Sequence, residues 1–300
     1  MGNTPRRKGN LRPFRFVSRR GIAQGVRLAG RPRVEHPLML VAFEGWNDAA
    51  DAASYALTNL SRAWQAASFA EIDAEEFFDF TETRPELTVV AGLVREITWP
   101  ATVFSAAPGP VDVVFARGPE PQLRWRAYCD AFVELALALR ARRVVLLGAY
   151  LAEVMHSRPV PLATTGSDAA VTGLEGLALS RYEGPTGIVG VLGASLADAG
   201  IPTVAVWASV PCYSIPVSAK AALALAQAAT RMIGRPADLS KLAGEALEYE
   251  RQMDELVGAD ENVAAYVARI GRSADLGASG PSTEGLTEEI ERYLRDEPPE

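Results

Sequence analysis

Histidine and cysteine are the scarcest reactive residues in this 300-residue chain, with two of each: His36 and His156, Cys129 and Cys212. Two histidines leave almost no material for a histidine-based triad or a multi-histidine metal site. The cysteines have no Cys-x-x-Cys spacing, which argues against a disulfide scaffold or structural zinc and suits a reducing cytosol. Lysine is nearly absent too, since Lys8, Lys220 and Lys241 are the only lysines among 30 basic residues. No uninterrupted apolar run approaches the roughly 18 residues that a membrane span needs, so no membrane partner is expected and the chain is read as cytoplasmic. Also missing are a Gly-x-Ser-x-Gly elbow, a Walker loop and a His-Glu-x-x-His helix. Glu153-x-x-His156 has the spacing of half a di-iron helix, but its matching half is absent and Pro159 limits any helix there. No catalytic residue, metal or cofactor is therefore assigned.

The chain is 48% apolar and 22% charged, the composition of an ordinary globule, with a formal net charge of -7. That charge is unevenly placed. Residues 1–34 hold ten Arg or Lys and no acid, and read as a basic, disordered arm. Ser18-Arg19-Arg20 faintly resembles a twin-arginine signal, but Arg27, Arg31 and Arg33 interrupt any apolar core, so export is not expected. The remaining body is strongly acidic, which argues against nucleic-acid binding except through the arm.

The most informative stretch runs from Pro37 to Ser54. Six apolar residues end at Glu44, Gly45 permits a sharp turn, and Asn47 or Asp48 can cap a helix immediately after the turn. Ala53, Leu57, Leu60 and Trp64 then recur at helical spacing. This is a buried strand feeding a helix, the first half of an α/β unit. Open sheets keep their ligand crevices at the carboxyl ends of strands, which makes Glu44, Asn47 and Asp48 crevice candidates. Dinucleotide binding fits poorly, because there is one glycine and the carboxylates would repel a phosphate. Helix capping is the alternative role for Asn47 and Asp48.

The alternation continues. Strands are expected at 67–72, within 88–99, at 102–106, 111–116 and 159–165, and above all in the continuous apolar runs Val144–Tyr150 and Thr203–Ser209. Helices are expected from Pro121, from Gly187 to Ala199 and from Ser218 to Met232. Gly187, Gly190 and Gly193 read as close-packing glycines and not as a nucleotide loop. The fold class is thus α/β, a three-layer α/β/α sandwich over residues 35–236. Residues 237–300 read as an acidic helical appendage with stripes at Leu239, Leu242, Ala246, Tyr249, Met253 and Leu256, at Val263, Val267 and Ile270, and at Leu286, Ile290 and Leu294. Helices this short are marginal alone, so the stripes must pack on the sheet domain or on another subunit. Asp79, Arg84, Glu153, His156, Arg158 and Glu183 complete the candidates for a polar crevice, as a ligand site or a loop-fixing network.

Four segments together resemble a known family: Ala42–Ala53 with its Phe-Glu-Gly-Trp-Asn-Asp, Phe78–Pro85, Leu147–Pro161 and Tyr182–Ile188. They are similar to the proteasome assembly chaperone 2 family, in its bacterial branch, and the resemblance extends from about Pro37 to Arg295. It implies a phosphorylase/hydrolase-like sandwich, self-assembly with a trimer as one option, and a role in assembling protein complexes, with proteasome-related subunits among the partners. It supplies no catalytic residues. Cys212 stands where the family's Val-Pro-His-Tyr segment has His. The hydrophobic-Tyr-any-residue signature of members that dock on proteasomes is met only internally, at Tyr293, so docking by that route is not expected. The expected function is a non-enzymatic assembly chaperone or scaffold. The alternative is an enzyme or small-ligand binder using the polar crevice.

Overall fold

A computed structural model describes residues 25–90, 93–167 and 177–275. Nine strands form one mixed sheet: β1 (Val26–Leu28), β2 (Leu38–Glu44), β3 (Ala67–Ile72), β6 (Thr102–Ala107), β7 (Val113–Pro119), β8 (Arg143–Ala152), β9 (Leu162–Gly166), β10 (Ala178–Leu179) and β11 (Thr203–Pro211). Their spatial order is β1-β3-β6-β7-β2-β8-β11-β9-β10. The centre β7-β2-β8-β11 is parallel, whereas β3, β6 and β9 join antiparallel neighbours. Parallel strands need crossovers, and these are helices: α1 (Ala52–Ala63), α2 (Trp125–Ala138) and α3 (Ile188–Asp198), followed by α4 (Ala219–Ile233), α5 (Ser240–Ala259) and α6 (Glu261–Asp275).

The apolar strands are buried on both faces, as their unbroken hydrophobicity requires. Leu38, Leu40 and Ala42 of β2 join Val145, Leu147 and Val206 beneath α1 and α4; Met39, Val41 and Phe43 point the other way, to α2 and α3. Burying each such Leu, Val or Phe contributes about 1.5–3 kcal/mol. The layers are those of an α/β/α sandwich, as expected. Among the described residues no helix is long and apolar enough to cross a membrane.

Several boundaries differ from the sequence reading. Val26–Leu28, inside the stretch read as a basic arm, pairs antiparallel with β3; residues 1–24 lie outside the described residues. The helix expected from Pro121 begins at Trp125, because Gln122 and Leu123 donate their backbone N–H groups to Phe77, both at 3.0 Å, and are held in the preceding loop. Strands β4 (Glu86–Val90) and β5 (Leu93–Thr98) form a separate two-stranded ribbon. The stripe Leu242, Ala246, Tyr249 and Met253 of α5 is buried within the chain, with Leu242, Tyr249 and Met253 joining the cluster under α1 and α4. That stripe therefore leaves no spare apolar surface for a partner, and any self-association must use another face. The helix read around Leu286, Ile290 and Leu294 lies outside the described residues.

Candidate functional site

At the end of β2 the chain turns sharply. Gly45 takes φ 103°, a left-handed conformation that glycine adopts without penalty, and Asp48 N–H closes the turn on the Gly45 carbonyl at 3.0 Å. Ala50 and Asp51 come next with φ 49° and 51°, a strained pair for non-glycine residues. Ser218 N–H helps to hold them, donating to the Ala50 carbonyl at 2.8 Å. The Asp48 carboxylate then accepts the N–H of Ala53 at 2.6 Å and that of Ser54 at 3.3 Å, which caps α1. Two donors and a helix N-terminus favour the anion. Burial opposes it and wins: with 4% of its surface exposed, Asp48 is pushed up to a pKa of about 6.

Asn47 is wholly buried and faces a second carboxylate. Its Nδ2 donates to Glu120 Oε1 at 2.7 Å, and the same oxygen accepts the N–H of Ile188, in the first turn of α3, at 2.7 Å. Gly187 makes this approach feasible, since a Cβ there would lie 2.4 Å from Asn47 Oδ1 and 2.6 Å from Glu120 Oε1. Glu120 thus occupies the place at a helix N-terminus where an external anion would otherwise bind. Asn47 Oδ1 is buried without a hydrogen-bond partner. Glu44, beside this cluster, pairs with Arg117 at 3.2 Å in a partly exposed ion pair of modest worth.

A separate polar cluster lies beyond the ends of β8 and β11, on the same edge of the sheet. His156 is buried, with Nδ1 2.9 Å from the Tyr213 hydroxyl and Nε2 3.0 Å from Asp254 of α5. Its backbone N–H donates to the Tyr213 hydroxyl at 3.1 Å. Burial raises the Tyr213 pKa. Lys220 donates to the His156 carbonyl at 2.5 Å and pairs with Glu250 at 2.5 Å. Glu153 meets Arg269 of α6 at 3.0 Å, and Arg158 lines a cavity of about 10 Å³ beside His156. That space holds one water at most.

The nine candidate residues therefore do not form one crevice. Glu44, Asn47 and Asp48 gather at the end of β2. Glu153, His156 and Arg158 belong with the α5 and α6 contacts. Asp79 closes its own loop, accepting from Thr81 N–H at 2.8 Å and Thr81 Oγ1 at 2.6 Å, bonds that lower its pKa. It touches the first cluster only indirectly: its N–H donates to Gln122 Oε1 at 3.2 Å, and Gln122 Nε2 donates to the Glu120 carbonyl at 2.7 Å. Arg84 and Glu183 are exposed, and among the described residues no hydrogen bond or ion pair joins either to the two clusters. Glu120, Arg117 and Asp254 were not singled out in the sequence; for Glu120 the available signal was its position directly after the strand end Gly118-Pro119. Among the described residues no three His, Cys, Asp or Glu side chains are arranged to hold a metal ion.

The PAC2 family matches residues 42–257, which include the first cluster and all of the second except Arg269. The chain belongs to the PAC2 family. It is 41% identical to the proteasome-assembly chaperone homologue of Mycobacterium tuberculosis, over 77% of this chain and 99% of that one, with a TM-score of 0.71. A Streptomyces avermitilis PAC2 family protein is 42% identical over the same shares, also with a TM-score of 0.71. The Pyrococcus furiosus protein PbaA, described as an archaeal homologue of proteasome-assembly chaperone, is 19% identical with a TM-score of 0.57, over 77% of this chain and 96% of that one, a likeness of fold alone. None of the curated proteins compared with the chain matches it.

Proposed function

We propose that this PAC2 family member is a non-enzymatic assembly protein that binds other protein subunits, proteasome-related ones among them, in the manner that the names of its relatives describe. The observation that carries this reading is the closed carboxyl edge of the sheet. Where an α/β enzyme keeps an anion or cofactor, the Glu120 carboxylate already accepts from Asn47 and from Ile188 N–H, and Gly187 is packed directly against them. Opening that place to a ligand means breaking two charge-assisted hydrogen bonds, each worth about 1.5–3 kcal/mol. A small-ligand role draws on one observation, the unpartnered Asn47 Oδ1, but that atom faces Gly187 with no room between them.

The test is an assembly assay. Separately purified subunits of a candidate complex are mixed with and without the chain, and the assembled particle is followed by native electrophoresis. Acceleration by wild type and by Glu44→Gln alike is the expected result. Turnover or small-molecule binding that Glu44→Gln abolishes would overturn it.

A further inference from the structure

The ribbon β4–β5 stands apart from the main sheet, and one of its faces is apolar and uncovered. Residues directly opposite each other project to the same side, so the pairs Leu87 with Ile97 and Val89 with Val94 make one aliphatic face without charge. These four side chains expose 50–62% of their surface. A register shift between Thr88 and Val89 takes Arg95 out of the pairing and keeps that face unbroken. At about 100 Å² per side chain it offers about 400 Å², half of the ~800 Å² per partner in a standard complex of free proteins. A two-stranded ribbon nevertheless needs a packing partner in water. A face of this size suits a short segment already tethered to the chain, whose high local concentration makes up for the small area.

We infer that the chain's own basic arm, through residues 11–22, folds back over this face. Place supports it first. Val26 pairs with Ile72 and Ile72 with Thr102, so the chain enters β1 at the end of the sheet from which the ribbon departs. There the Gly25 carbonyl accepts the N–H of Asp73 at 2.8 Å. Two steps across the sheet span about 10 Å, and Thr98 at the base of the ribbon is four residues from Thr102, at most about 14 Å. Phe16 precedes Gly25 by nine residues, a reach of about 30 Å when extended, which covers that sum. Charge supports it next. Residues 71–86 hold seven acids and one Arg, and although Arg27 pairs with Glu71 and Asp73, and Arg124 with Glu76, the carboxylate-bearing Glu75, Glu82 and Glu86 stay exposed. Residues 1–24 hold seven Arg or Lys and no acid, the complement of that segment. The arm also carries the right apolar groups. In an extended segment Phe14 and Phe16 project to one side and Arg15 to the other, so a single stretch offers aromatic anchors to the aliphatic face and a guanidinium to the carboxylates. One consequence rests on the assembly reading above: a protein partner that uses the ribbon must first displace the arm, which sets a threshold on capture.

Thiol protection in the full chain tests this. In a Cys212→Ser background, a Val94→Cys thiol is expected to react with a thiol reagent at least about tenfold more slowly than the same thiol after Phe14→Ser with Phe16→Ser. The protection is the same at low and high protein concentration, and it weakens as salt screens the charges of the arm. A Thr88→Cys thiol, on the opposite face, reacts equally with and without the two Phe changes. As a second measurement, Phe16→Cys with Val94→Cys in the same background should close a disulfide under mild oxidation within one chain, seen at 32.1 kDa on a non-reducing gel. A Val94→Cys thiol that is fully reactive with the arm intact overturns the inference. So does protection that is lost on dilution, which would assign the face to a second copy, and so does a disulfide that forms only between chains. No partner protein enters either measurement, so a failure here is distinct from a failure of the assembly reading.

Discussion

Asp48 gives a test of how burial and hydrogen bonding compete at the end of β2. Its carboxyl moves from an ordinary pKa of 3.8 to about 6 in the fold, with desolvation the largest cause and the Ser54 and Ala53 hydrogen bonds opposing it. The folded state therefore holds a proton that the unfolded state has lost. Below pH 3.8 both states are protonated and the contribution of this group to stability is fully present. As pH rises towards about 6, each unit removes about 1.4 kcal/mol, and beyond it the loss is complete at about 3 kcal/mol. Asp48→Asn keeps an amide oxygen for the Ala53 N–H but cannot titrate. Urea unfolding of both proteins between pH 4.5 and 7 should show wild type losing about 2 kcal/mol relative to the variant. A constant difference, or a wild type that gains on the variant as pH rises, would show that capping outweighs burial and that Asp48 is an ordinary ionised cap.

Two further changes probe the clusters. Gly187→Ala should cost about 1–3 kcal/mol by thermal or urea unfolding, because its Cβ would meet Asn47 and Glu120, whereas Gly193→Ala, whose Cβ meets only the flexible end of Leu146 at 3.3 Å, should be nearly neutral; equal effects would sever Gly187 from the Glu120 lock. Tyr213→Phe removes the hydroxyl that bonds both His156 Nδ1 and the His156 backbone N–H, and should cost about 1–3 kcal/mol with little change in fold by circular dichroism. An unchanged denaturation midpoint would mean that water replaces the hydroxyl there.

The central sheet was legible because its strands announce themselves twice, by continuous apolar runs and by the turn residues that end them. Glu44, Asn47 and Asp48 could be placed for the same reason: a strand end is a point in the sequence, and the residues at that point lie at the sheet edge. The partners across the edge were not legible. Glu120 is one of 37 acidic residues, and Pro121 beside it drew attention as a helix opener although the helix begins at Trp125. Asp79, Arg84 and Arg158 sit on loops whose paths depend on tertiary bonds such as Gln122 with Asp79 and Thr83, which no spacing encodes. The ribbon was legible only as strands. Alternating Val, Leu and Ile announce a pleated segment, but say nothing of whether the surface that covers it belongs to the same chain.

Exposure and closure fall at one end of the molecule, and together they bear on function more than either does alone. β3 and β6 are antiparallel, and the ribbon is inserted between them, leaving from Ile72 and returning at Thr102, which pair with each other. Val103 of β6 lies opposite Arg117 near the end of β7, so the ribbon rises from the same edge as Glu44 and Asn47. At that edge the crevice between strands is filled by Glu120, while Trp46 is 58% exposed beside it. Here the recess is shut from within and apolar side chains face outward, an arrangement suited to covering another protein surface. Gly187 is the residue on which this distinction turns. With a side chain at 187 the first turn of α3 could not approach Asn47 and Glu120 this closely, since a Cβ there would lie 2.4 Å from Asn47 Oδ1 and 2.6 Å from Glu120 Oε1.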